Sequence, residues 1–144
     1  MSIDLDLATY LKTKSGVTDI VGTRVYARRA PQTTSQTKTA ARIVYRLLPG
    51  SVRHYHAGGV STLVEAAIQL ELADGTYPDC QTLYTAIYNE IDAFRGTWNG
   101  TSVRSCFLSP PFDMTQDPTQ GDDQGYWAVG AVAEVMYVEA APSR

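Results

Sequence analysis

Between Thr62 and Asp74 the chain alternates: Val64, Ala66, Ile68, Leu70 and Leu72 are apolar, whereas Glu65, Gln69 and Glu71 are polar. Successive side chains of a strand point to opposite faces, so this stretch predicts a long strand with one covered and one wet face. A strand of that kind belongs to an antiparallel sheet, because parallel sheets are covered on both sides. Asp74-Gly75 closes it as a turn. The rhythm then changes. Cys80, Leu83, Tyr84, Ile87, Tyr88, Ile91 and Phe94 recur at spacings of three and four, an apolar helical stripe ending at Gly96. Thr76 or Tyr77 serves as cap, Pro78 suits the first turn and Asp79 complements the helix dipole. This helix is expected to lie on the sheet.

The flanking segments complete the pattern. "IDLDLATYLKTKSGVTDIVG" predicts a first helix of about 11 residues, with Leu7, Ala8 and Leu11 on one stripe and Gly16 as its stop. A short helical turn over "VTDIV" follows. Val25 and Tyr26 begin a strand that halts before Pro31, since proline cannot donate to a ladder. "RIVYRLL" (42–48) is the second strand, closed by Pro49-Gly50. Asn99-Gly100 predicts a tight hairpin turn leading into "SVRSCFLS". The last strand, "YWAVGAVAEVMYVEA", places Trp127, Val129, Ala131, Ala133, Val135 and Tyr137 on one face and reads as central, or as shared with another copy. Residues 32–41, 49–60 and 109–125 read as long loops, which in compact domains are commonly functional. The expected fold is α+β in one domain over 1–144: a mainly antiparallel sheet with two helices packed on one face.

Composition adds boundaries. A chain of 144 residues buries roughly 68–70% of its unfolded surface and needs no metal or disulfide staple. Cys80 and Cys106 are too few for a disulfide framework or a zinc site, and are expected as buried thiols. No apolar run approaches the roughly 20 residues of a membrane span. The start "MSIDLDLATY" carries two acids where a signal peptide is basic, so folding in a cytoplasm is expected. The net charge of −3 conceals a division: residues 1–53 hold nine basic and three acidic side chains, a balance of +6, and residues 54–144 hold three and twelve, a balance of −9. The two halves either mix on one surface or let a basic face of one copy meet an acidic face of the next.

Candidate chemistry is sparse. His54 and His56 alternate in "HYH", yet a metal site needs further ligands that the neighbourhood lacks. No G-x-S-x-G elbow, P-loop or G-x-G-x-x-G cradle occurs, and Asp122-Asp123 reads as solvated charge in a glycine-rich loop. Neither an enzyme nor a cofactor is expected. Arginines interleaved with Tyr26, Tyr45 and Tyr55 suit single-stranded nucleic acid. A pI of about 5.2 argues against that, and arginine equally suits protein interfaces.

One resemblance organises these observations. "VTDIVG", "TRVYARRAPQ", a polar gap and "RIVYRLL" resemble the N-terminal pattern of the tail-completion and tail-terminator proteins of long-tailed bacteriophages and related gene-transfer particles. The matching positions are Gly22, Arg24, Val25, Tyr26, Ala30, Pro31, Gln32, Val44 and Tyr45, and "AAIQLELADGTYPDCQTLYTAIYNEIDAFRG" is similar to that family's strand and amphipathic helix. The chain departs from the family at Ala41-Arg42, where a Pro-aromatic pair is common, and in its long 109–125 loop. The resemblance implies a virion protein forming a hexameric ring on the head-proximal end of the tail tube. Its partners would be its own copies, the tube protein and the head connector or head-completion protein, with DNA only in transit and no membrane. Head completion in the neck of the same particle, or a small nucleic-acid or ligand-binding domain, are the alternatives. Interface candidates are Arg24, Arg28, Arg29, Arg42, Arg46, Arg53, Tyr55, Asp122 and Asp123, with Arg28 and Arg29 foremost.

Overall fold

Two long strands form the axis of the sheet. In a computed structural model, which describes residues 2–28, 41–55, 61–115 and 127–140, β4 (Ser61–Asp74) and β8 (Trp127–Ala140) pair antiparallel along their whole lengths. Ser61 stands opposite Ala140 and Asp74 opposite Trp127. On the outer edge of β4 lie β2 (Arg42–Leu47) and then β3 (Val52–Tyr55), both antiparallel to it. On the outer edge of β8 lie β6 (Thr101–Leu108) and then β7 (Phe112–Asp113), also antiparallel. Two three-residue strands, β1 (Val25–Ala27) and β5 (Gly96–Trp98), close the edges, giving the order β1-β2-β4-β8-β6-β5. Such short edges give little purchase for unwanted strand pairing.

Four departures from the sequence reading have physical causes. β1 runs parallel to β2, and a parallel neighbour needs a crossover of about a dozen residues or more, which the connection between Ala27 and Arg42 supplies. The 49–60 segment contains β3 and 109–125 contains β7, while residues 32–40, 56–60 and 116–125 lie outside the described residues. The helical turn is a full helix, α2 (Ser15–Val21), so α1 (Ile3–Lys12) stops at Thr13 and Gly16 sits inside its successor. The last helix, α3 (Tyr77–Ile91), ends five residues before Gly96, with extended Asp92 as its C-cap and Ala93 turned to φ 56°. Thr76 is its N-cap, its side chain accepting from Asp79 N at 3.3 Å.

All three helices cover one face. Ile3, Leu7 and Leu11 of α1, Val17 and Val21 of α2, and Cys80, Leu83, Ile87 and Ile91 of α3 join Ala66, Ile68, Leu70 and Leu72 of β4 and Val129, Ala131, Ala133 and Val135 of β8 in one core. Each large side chain so buried is worth about 1.5–3 kcal/mol. Beyond α3, Phe94 leaves the helix but its ring stacks on Trp98 at 5.5 Å and tilts against Tyr10 at 5.1 Å. Asn99 (φ 47°) and Gly100 (φ 88°) make the tight β5–β6 turn that the sequence predicts. The α1 carboxylate of Asp6 is buried and accepts from Thr101 Oγ1 (2.6 Å) and Asn99 Nδ2 (3.2 Å), pinning this hairpin to the first helix.

The opposite face is wet only in part. Ala73, Ala128 and Gly130 are buried there, and the ring of Phe112 and the thioether of Met114 fill the space a Cβ at Gly130 would need. Thr115 Oγ1 bridges the backbone of Ala128, so the segment after β7 lies across this end of the sheet.

Candidate interface surface

The basic N-terminal region does not become one cationic face. Arg24 is half-buried and turns inward: its Nε donates to Ala41 O at 2.7 Å and its Nη2 to Ile20 O at 3.3 Å, tying the end of α2 to the start of β2. Arg42 is only 6% exposed, which takes it off the outer surface of this chain. Arg28 and Arg46 are exposed. Arg28 ends β1 in a left-handed conformation (φ 65°), its amide held by Tyr45 O at 2.7 Å. Non-glycine residues adopt that backbone rarely, and it costs about 1–3 kcal/mol. Arg53, His54 and Tyr55 lie in β3, pairing with β4, while Arg29, His56, Asp122 and Asp123 lie outside the described residues.

A second surface has no counterpart in the sequence reading. On the face away from the helices, the β4–β8 register sets Glu65 opposite Met136 and Ala67 opposite Glu134, and β6 adds Phe107 beside Glu134. Val52 of β3 flanks Glu65 on the other side. These residues and Pro49 line a groove of about 410 Å³ with an apolar floor and two acidic side chains. Phe107 is 55% exposed and Val52 49%, unusually open for large apolar residues on paired strands. The polar phase of the β4 alternation was the available signal for Glu65; nothing local connects it to Glu134.

The remaining reactive groups are enclosed. Cys80 and Cys106 are buried free thiols, as the sequence predicts. Burial, with the Asp92 carboxylate second, pushes the Cys106 thiol up to about 12. Burial likewise raises Cys80, whose Sγ lies 3.3 Å from Trp127 O. Among the described residues no group of three or more His, Cys, Asp or Glu could hold a metal ion, and no helix is long and apolar enough to cross a membrane.

The architecture is an α+β sandwich of one curled, mostly antiparallel sheet under a layer of helices. A chain of a solved structure titled "Virion of native gene transfer agent (GTA) particle" has this fold, with a TM-score of 0.63 over 96% of both chains and 10% sequence identity. No family model and no curated protein matches the sequence.

Proposed function

We propose that this chain is a virion structural protein that forms a ring, hexameric on the expected pattern, at the head-proximal end of a phage-like tail tube. There it ends tube polymerisation and joins tail to head, without catalytic turnover. The observation carrying this reading is the likeness to a chain of a gene transfer agent virion over 96% of both chains. At that coverage it spans the whole architecture, and the N-terminal resemblance to tail-completion and tail-terminator proteins points the same way. Exposed Arg28 and Arg46 on one part of the sheet and exposed Glu134 on another also suit a head-to-tail contact, which closes into a ring when its rotation permits. Its copies, the tube protein and the head connector are the partners on this reading.

The test is native mass over a wide concentration range, with negative-stain images of the same samples and of samples mixed with purified tail tubes. A ring with a central hole, or capping of one tube end, is the expected result. Rings that ignore tubes but bind head connectors would move the protein to the head-completion layer. A strict monomer that binds neither would overturn the reading.

A further inference from the structure

The acidic groove and Arg28 lie on different parts of the sheet. Arg28 follows the β1 edge strand, and the groove spans β3, β4, β8 and β6. Between β1 and β8 stand β2 and β4, so Arg28 and Glu134 are separated by three strand spacings, roughly 14 Å. The two cannot pair within one chain at that separation. The groove sets Ala67 opposite the exposed Glu134, with Met136 two residues along and Phe107 on the other side, so its occupant should carry a cation beside small or apolar groups. The end of β1 has that chemistry: Ala27 and Arg28 are both exposed at the edge of the sheet, where Arg28 takes a left-handed backbone.

We propose that the groove over β4 and β8 receives the Ala27-Arg28 corner of a second copy of this chain, with the Arg28 guanidinium against Glu134. This rests on the assembly reading above and gives it a specific contact. Because corner and groove are different surfaces, a copy that fills its neighbour's groove leaves its own groove free, and the contact propagates head to tail rather than stopping at a pair. A stable contact buries about 800 Å² on each partner. That is close to a tenth of the 8461 Å² exposed by this chain, so a stable contact extends beyond the groove itself.

Charge reversal tests it. Arg28→Glu and Glu134→Arg should each shift the native mass toward monomer, raising the dissociation constant at least about tenfold through like-charge contact. An equimolar mixture of the two variants should reassemble, since each supplies what the other lacks, and the double variant should assemble alone. Arg28→Gly controls for folding: it relieves the left-handed backbone, so it should unfold no earlier than the parent yet still lose assembly. Wild-type oligomers that persist in both single variants would overturn the groove contact and leave the ring reading standing. A parent that stays monomeric at every concentration would overturn a second copy as occupant, and tube binding would then decide the ring reading separately.

Discussion

The tie between Asp6 and the β5–β6 hairpin predicts a measurable coupling. Asp6 is 1% exposed, and its carboxylate accepts from Thr101 Oγ1 at 2.6 Å and Asn99 Nδ2 at 3.2 Å. Hydrogen bonds to a charged group contribute about 1.5–3 kcal/mol each. The Thr101 bond is short and the Asn99 bond long, and Asn99 is exposed, so Thr101 should carry most of the effect. Asp6→Ala removes both bonds but frees two donors that water can reach, for a net loss of about 2 kcal/mol. Thr101→Val keeps the shape and leaves a buried carboxylate one donor short, at about 2–3 kcal/mol. Because the two changes remove the same bond, the double variant should cost less than their sum, with a coupling of about 1–2 kcal/mol. Urea unfolding reads this as shifts of midpoint at constant slope. Single losses of this size should lower the melting temperature by about 4–10 °C. Additivity within about 0.3 kcal/mol would refute the tie, because independent sites behave that way.

Four further outcomes follow from other parts of the molecule. Neither thiol should react with iodoacetamide at pH 8 in the folded protein, and both should react in urea, which mass spectrometry counts; rapid native labelling of Cys106 would contradict its burial and its rise to about 12. Tyr45 and Tyr84, raised mainly by burial, and both thiols hold their protons more tightly when folded, so stability should be level up to the ordinary thiol value of 9.0 and fall as pH rises beyond it. A urea midpoint that increases from pH 9 to 11 would be the wrong sign. Arg24→Ala should cost about 1–3 kcal/mol, since the carbonyls of Ala41 and Ile20 lose a charged donor; a neutral result in thermal melts would return Arg24 to the surface candidates. Gly130→Ala should displace Phe112 and Met114 for about 1–2 kcal/mol, seen as faster chymotryptic cleavage after Phe112 and refuted by an unchanged digest.

Where a local rule sufficed, the fold was legible. The alternation at 62–74 and the stripe from Cys80 to Ile91 identify β4 and α3 because burial imposes their periods, and Asn99-Gly100 marks its turn because both residues accept positive φ. The failures are non-local. β1 is too short to declare its direction, and only the length of the crossover allows its parallel pairing. Phe94 continues the three-four spacing yet lies beyond the helix, because Phe94 packs just as well on Trp98 and Tyr10 from a turn. β3 and β7 hold four and two residues, too few for a periodic signal, and exist because β4 and β8 are long enough to carry two partners on one edge.

The same distinction governs the candidate surface. Counting charges divides the chain into a cationic and an anionic half, but it cannot say which charges reach the outside. Arg24 is drawn inward by two carbonyls at the meeting of α2 and β2, and Arg42 is enclosed, which leaves Arg28 and Arg46 as the exposed cations of those four arginines. On the acidic side, Glu65 and Glu134 share a groove only because β4 and β8 pair in one register. A slip by one residue would move Glu134 to the helix-covered face and destroy the groove together with the core. The proposed contact surface is therefore tied to the packing of Ile68, Leu70, Ala131 and Ala133, which holds that register. Core substitutions that loosen it should weaken assembly before they unfold the chain.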